Sequence, residues 1–203
     1  MLAVLAYVFC RRWGIARGLL IAGVIGAAVF AAGPSRLADM SVSEESASGR
    51  IVAWQQGLEL LKWRPILGVG FMSFTDYHPL TAHNSVVLCA AELGIVGLYV
   101  WMLLIVTSFH ETFVVENRAR DGEYAFYAKV MQLTLIGFFV AAFFLSRTYN
   151  EVLYVVIALC AILSRFGRER FGYRVTFLTR NMALAVLFIS LGLIAMIRVI
   201  VIF

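Results

Sequence analysis

Two side chains in this 203-residue sequence are well suited to chemistry, His83 and Arg50. His83 precedes Asn84 at the start of an apolar segment, and its imidazole can exchange a proton near neutral pH. Arg50 opens an amphipathic run, and a guanidinium at a membrane surface suits a phosphate or diphosphate. Each has a plainer alternative, which is helix capping at the interface for His83 and contact with a lipid headgroup for Arg50.

Four further residues are candidates for contact with a substrate. Asn84 is a good N-cap type for the helix that follows it. Arg147, in a short polar turn, is a second candidate for anion binding. Arg64 and Tyr77 lie in the same polar loop as His83. Snorkelling is the alternative role for Arg64, and the general polarity of the loop explains Tyr77 equally well.

Glu92 is an acidic residue within an apolar segment, where an ionisable group is costly and usually faces the protein interior. It follows His83 by nine residues, which is roughly 13 Å along a helix and on its opposite side. We therefore do not expect Glu92 to be the hydrogen-bond partner of His83. We interpret it as a structural group that pairs with a polar partner in the bundle, beside Gly94 and Gly97, which allow close helix contact.

The composition indicates a polytopic membrane protein, with 62% hydrophobic and 14% charged residues. The net charge of +5 comes from basic residues between hydrophobic segments, so topology explains it and nucleic-acid binding is not expected. Cys10, Cys89 and Cys160 lie apart in apolar segments, and we expect buried thiols. The sequence contains no CxxC, HExxH, P-loop or GxGxxG motif, so we predict neither a metal nor a cofactor.

The hydropathy pattern predicts an all-α fold, a bundle of about five membrane spans plus a half helix, in a single membrane domain over residues 1–203. Residues 1–10 are too short to cross a bilayer, which takes about 20 helical residues. Their pattern indicates the second half of a helix whose beginning is missing. The predicted spans are residues 13–32, 84–109, 126–145, 152–164 and 181–203, and the fourth is short enough to need flanking residues or a tilt.

Residues 34–83 form the longest polar segment. Its first part, Ser41 to Ser48, is rich in Ser and Glu and is predicted to be mobile. Residues 51–64 are predicted to form an amphipathic helix on the membrane surface or on the protein's outer face, ended by Pro65. The expected apolar positions of this helix are Ile51, Trp54, Leu58 and Leu61.

Loop charge predicts the orientation. The loops at residues 10–17, 110–129 and 165–180 hold 11 of the 17 basic residues, so they are predicted to face the cytoplasm. The loop at residues 34–83 and the turn at residues 146–151 are then periplasmic.

Residues 48–105 resemble the signature region of the O-antigen ligase and Wzy polymerase family of bacterial inner-membrane proteins. No single residue or short motif in this region is specific to the family, but the order and spacing of the whole set are specific. The residues that carry the resemblance are Arg50, Trp54, Pro65, Gly68, Val69, Gly70, Phe74, His83, Asn84, Ser85, Glu92, Leu93, Gly94 and Gly97.

The resemblance implies glycan transfer from an undecaprenyl-diphosphate carrier to an acceptor hydroxyl at the periplasmic face. The acceptor is a lipid A core sugar for ligases, another glycan for polymerases and a protein side chain for O-oligosaccharyltransferases. It also implies that Arg50 neutralises the diphosphate leaving group. His83 would deprotonate or orient the acceptor hydroxyl, and Asn84 would cap the helix and fix the imidazole.

The sequence departs from this family in its length. Members commonly have ten or more spans, so we expect the chain to correspond to the C-terminal half and to lack an N-terminal half that completes the lipid cavity. The alternative is a non-catalytic truncated remnant, or a subunit that docks on a larger membrane protein.

Overall fold

The computed structural model describes residues 41–119, 122–173 and 179–202. Every helix named below lies in these ranges, and none of the described residues forms a β-strand. The helices are α1 (Ser41–Trp63), a short 3-10 helix (Phe74–Asp76), α2 (Ser85–Ala119), α3 (Glu123–Phe144), α4 (Glu151–Phe171) and α5 (Arg180–Ile202).

The chain forms two compact units, Met1–Arg50 and Ile51–Phe203. Of the first unit, the structure describes the beginning of α1. In the second unit, α2 packs against α3, α4 and α5, and α3 also packs against α4. The single membrane domain expected from the sequence stays a prediction.

The all-α membrane bundle predicted from the sequence is confirmed. Among the described helices, α2, α3 and α5 are long and apolar enough to cross a membrane. The spans predicted to begin at Asn84, Phe126 and Asn181 correspond to these three helices. The predicted span at residues 13–32, the half helix at residues 1–10 and Cys10 lie outside the described residues. Cys89 and Cys160 are free and buried, as expected.

Helix α1 begins ten residues earlier than predicted, so the expectation that Ser41 to Ser48 is a mobile loop was wrong. This stretch contains neither proline nor glycine, and Glu44, Glu45 and Ala47 have good helix propensity. The composition rich in Ser and Glu therefore did not prevent helix formation.

The buried face of α1 is also shifted from the predicted one. Trp54 is buried as expected, but Ile51 is 41% exposed, whereas Ala53 and Leu60 are buried. A Cβ atom on Gly57 would overlap the side chain of Val87. Small residues therefore set this face, because they let the backbone of α1 lie directly on its neighbours.

Helix α2 continues to Ala119 through the first part of the loop predicted at residues 110–129, so that part of the prediction was wrong. Glu111 and Glu116 are each only 5% exposed. A carboxylate of Glu116 accepts a hydrogen bond from Gln132 Nε2 at 3.0 Å and lies 3.9 Å from Lys129 Nζ. Because the bundle provides such polar partners, the helix can continue beyond the apolar span.

Helix α4 has 21 residues rather than the 13 apolar residues at 152–164. Asn150 caps its N-terminus, since Asn150 Oδ1 accepts a hydrogen bond from Val152 N at 3.0 Å. Gly172 ends it in the left-handed conformation with φ 64°, and its N–H bonds to the Arg168 carbonyl. Arg165, Arg168 and Arg170 are thus helical, not part of a loop.

Helix α2 is broken at Gly94, where φ is 67° and ψ is −168°. The loop after α1 supplies the hydrogen bonds that the break removes. Val69 N and Gly70 N donate to the carbonyls of Ala91 and Glu92 at 3.0 and 2.9 Å. On the other side of the break, Ile95 N and Val96 N donate to the carbonyls of Pro65 and Ile66 at 2.9 and 3.3 Å. We call this arrangement of residues 65–70 and 91–96 the backbone interlock.

Two glycines make the backbone interlock possible. Gly68 (φ 69°) and Gly94 both have a left-handed backbone that strains other residues. A Cβ atom on Gly94 would overlap the Ile66 carbonyl, and one on Gly68 would overlap the backbone of Glu92. Each position therefore requires glycine for two reasons, which are its left-handed conformation and the close approach of the opposite backbone.

The Gly94→Ala variant should lower the free energy of unfolding by at least about 3 kcal/mol, because backbone strain adds to the overlap with Ile66. Unfolding of the purified chain in mixed detergent micelles, followed by circular dichroism, measures this. Gly137→Ala is the matched control, since a Cβ atom there has no neighbour within 4 Å. The control should be neutral or more stable by up to about 1 kcal/mol. A Gly94→Ala variant as stable as this control would contradict the role of the interlock.

Candidate functional site

The site begins at the N-terminus of α2, which Asn84 caps. Asn84 Oδ1 accepts hydrogen bonds from Val86 N at 2.9 Å and Val87 N at 3.1 Å. Asn84 is fully buried. Its predicted capping role is confirmed, because two of the free N–H groups of the first turn are satisfied by its side chain.

The turn between α3 and α4 binds directly to this helix start. Ser85 Oγ donates to the Leu145 carbonyl and accepts from Arg147 N, both at 2.7 Å. Ser146 Oγ accepts from His83 N at 3.0 Å and lies 2.7 Å from Thr81 Oγ1. The turn between α3 and α4 is therefore bonded to the loop that contains His83.

Glu92 joins three separate segments, although it is only 2% exposed. One carboxylate oxygen, Oε1, accepts from Phe74 N at 2.9 Å. The other, Oε2, accepts from Tyr149 Oη at 2.6 Å. The prediction that Glu92 pairs with polar partners in the bundle is confirmed. These bonds satisfy a carboxylate that would otherwise be costly to bury.

A cleft of about 460 Å³ lies where these segments meet. We call it the Glu92 cleft, and its wall combines hydroxyl groups, an amide and a carboxylate with apolar side chains. Its lining residues are Met72, Phe74, Thr75, Thr81, Leu88, Glu92, Ser146, Tyr149 and Asn150.

Tyr149 is held on the wall of the cleft by two contacts. Its hydroxyl bonds to Glu92, and its ring packs edge-on against Phe71 with centroids 4.5 Å apart. Burial and, secondly, the hydrogen bond and negative charge of Glu92 raise the pKa of Tyr149 well above its ordinary value. The phenol is therefore neutral and acts as a hydrogen-bond donor to the carboxylate.

Backbone strain is concentrated beside the Glu92 cleft. Within the described ranges, Met72 (φ 57°) and His83 (φ 50°) are the non-glycine residues with positive φ. Such a conformation costs on the order of 1–3 kcal/mol and is common at functional sites. Met72 lines the cleft, and His83 is bonded through its N–H to Ser146, which also lines it.

The structure brings together three of the residues predicted from the sequence. His83, Asn84 and Arg147 lie around the same contact between the start of α2 and the turn. His83 is half-buried, and its imidazole has no hydrogen-bond partner among the described residues. Arg147 is exposed, while its backbone N–H is fixed by Ser85.

Arg64 and Tyr77 form a different exposed cluster around Trp63. The Arg64 guanidinium lies 4.9 Å from the Trp63 ring centroid, and Tyr77 packs edge-on against Trp63 at 6.0 Å. Neither residue lines the Glu92 cleft. Arg50 is an exposed residue of α1 in the first unit, and its part in the site stays a prediction.

Sequence reasoning placed Glu92 in the bundle but missed that it lines a cleft, and it gave Tyr149 no role. The signal for Glu92 was available, since an ionisable residue beside a break in a membrane helix commonly marks a functional site. Tyr149 had no comparable signal, because its partner Glu92 lies 57 residues earlier in the chain.

Two other grooves have less suitable chemistry. One, of about 490 Å³ between α2, α3 and α5, is lined by apolar side chains apart from His110. The other, of about 480 Å³, lies between α1 and α5 and carries the exposed side chains of Lys62, Glu59 and Arg198. Of these three cavities among the described residues, the Glu92 cleft combines hydroxyl groups with a buried carboxylate.

The chain belongs to the O-antigen ligase family, whose model matches residues 1–102, half of the sequence. The match includes Arg50, His83, Glu92 and both glycines of the backbone interlock, so the resemblance seen in the sequence is confirmed. The chain is thus a member of a family of ligase or polymerase type that handles glycans in bacterial membranes. Comparison with curated proteins and with solved structures gave no significant match.

The Ser85→Ala variant should lower the free energy of unfolding by about 1–3 kcal/mol, because it removes both hydrogen bonds to the α3–α4 turn and leaves Arg147 N unpaired. Unfolding in mixed micelles measures the loss. Ser190→Ala is the matched control, since buried Ser190 Oγ bonds to the Val186 carbonyl of its own helix. Its effect should stay within about 0.5 kcal/mol. Equal effects of the two variants would contradict the importance of this contact.

Proposed function

We propose that this protein transfers a glycan from an undecaprenyl-diphosphate carrier to an acceptor hydroxyl, as an O-antigen ligase or polysaccharide polymerase. The observation that carries the proposal is the family match over residues 1–102, which includes the residues that build one wall of the Glu92 cleft. The acceptor is a sugar of the lipid A core, another glycan or a protein side chain.

The reaction is a substitution at the anomeric carbon of the first sugar. The acceptor oxygen attacks, and the bond to the diphosphate breaks. Negative charge then grows on the diphosphate, and nearby cations stabilise it. We assign this role to Arg50, with Arg147 as a second cation, because Arg147 is exposed next to the start of α2. Arg64 and Tyr77 would contact the carrier at the surface around Trp63.

His83 would deprotonate or orient the acceptor hydroxyl. Its ring has no hydrogen bond to the described residues, and its backbone N–H bonds to Ser146, which lines the cleft. Asn84 fixes the backbone on which the imidazole is held, through its cap of α2. A ring so placed can approach a hydroxyl that enters the cleft.

We infer that the protein lies in the bacterial inner membrane with this cleft on the periplasmic side. The three apolar helices support insertion in a membrane. The excess of basic residues in the segments at residues 10–17, 110–129 and 165–180 supports the orientation, because basic segments that flank membrane spans remain in the cytoplasm. The carrier lipid would then reach the cleft from the outer leaflet.

His83→Ala and Arg50→Ala should each lower glycan transfer by at least about 100-fold, through loss of proton transfer or orientation and loss of charge stabilisation. Transfer is measured in membrane vesicles that contain this chain and a glycan on undecaprenyl diphosphate, and protease protection confirms insertion. His110→Ala is the matched control, because exposed His110 lies at the opposite end of α2 from His83. Normal transfer by both site variants would refute the assignment.

A further inference from the structure

We propose that Tyr149 and Glu92 together accept the proton of the acceptor hydroxyl, a role that rests on the proposed function and deepens it. Glu92 and Tyr149 both line the cleft, whereas His83 does not line it and is joined to it through the bond of its backbone N–H to Ser146. A hydroxyl bound in the cleft would therefore meet the Tyr149–Glu92 pair, and His83 would orient it.

The geometry suits a proton relay. Tyr149 Oη donates its hydrogen to Glu92 Oε2 at 2.6 Å, so its lone pairs remain available to accept a hydrogen from the acceptor. Glu92 is nearly fully buried, and its other oxygen is held by Phe74 N at 2.9 Å. Because burial keeps Tyr149 neutral, the phenol transmits the proton, and the carboxylate is its final acceptor.

The acceptor oxygen forms a bond with the anomeric carbon while its proton passes to Tyr149 Oη. The proton of Tyr149 passes at the same time to Glu92 Oε2. The carbon–oxygen bond to the diphosphate breaks, and its electron pair leaves with the diphosphate. Glu92 is then a neutral carboxylic acid, which returns its proton to water through the open cleft.

The local backbone explains why the pair stands in the cleft. Glu92 lies two residues before the break in α2, at the point where its own carbonyl bonds to Gly70 N rather than continuing the helix. Non-helical backbone within a membrane helix is tolerated where it is buried in protein or lines a cavity. The break therefore places a carboxylate beside the substrate space within the bundle.

A purely structural role for Glu92 is the alternative, since it ties three segments together. The Glu92→Gln variant distinguishes this structural role from the proposed role as proton acceptor. The amide oxygen still accepts from Phe74 N, and the amide nitrogen donates to Tyr149 Oη, so both hydrogen bonds can persist. What the amide loses is the ability to accept a proton.

The test measures kcat and KM for glycan transfer in vesicles that contain the whole chain, together with the midpoint of thermal unfolding. Glu92→Gln and Tyr149→Phe should each lower kcat by about 100-fold or more, with KM little changed. The midpoint should be little changed in Glu92→Gln, which keeps both hydrogen bonds, and lower in Tyr149→Phe, which leaves a buried carboxylate oxygen without its donor. The double variant should be no slower than the slower single variant, because the two residues act as a unit. Tyr99→Phe is the control, since Tyr99 Oη bonds to the Ala183 carbonyl away from the cleft.

Three results would overturn the proposal. Transfer by Glu92→Gln within about threefold of the natural chain would leave Glu92 a structural role. If Glu92→Gln loses activity and its unfolding midpoint also falls strongly, the role of Glu92 is structural. If the natural chain transfers no glycan, the proposed function fails together with this inference. Activity in the natural chain that persists in Glu92→Gln overturns the inference alone.

Discussion

The backbone interlock between residues 65–70 and 91–96 is the constraint on which the candidate site depends. A membrane helix cannot leave its amide and carbonyl groups unpaired, because no water is present to satisfy them. The break in α2 at Gly94 is therefore possible only because the loop from Pro65 to Gly70 supplies four matching hydrogen bonds. The loop and the helix must fold together.

The interlock has consequences beyond its own hydrogen bonds. It fixes the loop that carries Met72 and Phe74 against α2, so Phe74 N reaches Glu92. From the opposite side, the turn after α3 reaches the same carboxylate through Tyr149 and the start of α2 through Ser85. The cleft is thus formed by three segments that converge on one buried charge.

The sequence predicted those features that depend on local chemistry. Apolar length predicted α2, α3 and α5, and the residue type of Asn84 predicted the cap of α2. Pro65 correctly ended α1. The spacing of glycines indicated the family, but not that Gly68 faces the backbone of Glu92 and Gly94 that of Ile66, since these contacts join residues 24 and 28 positions apart.

Features that depend on distant partners were beyond the reach of pattern reasoning. The charged residues after Phe109 indicated a loop, yet Glu116 remains helical because Gln132 bonds to it from α3. Glu92 was interpreted as structural because its helical phase excludes His83, and nothing local pointed to Tyr149. The buried face of α1 was predicted wrongly because small residues determine it. Gly57 packs closely against Val87, and the local sequence pattern does not reveal this neighbour.

We propose that glycan chemistry takes place in the Glu92 cleft, and covalent mapping of the bound sugar tests this proposal. The probe is a glycan on undecaprenyl diphosphate that carries a photoreactive diazirine on its first sugar. After illumination in membrane vesicles, mass spectrometry identifies the labelled residues of the natural chain. We predict adducts within residues 71–75 and 146–150, the two segments that line the cleft with Glu92. Adducts confined to other segments, such as the apolar groove beside Phe113, would contradict the account.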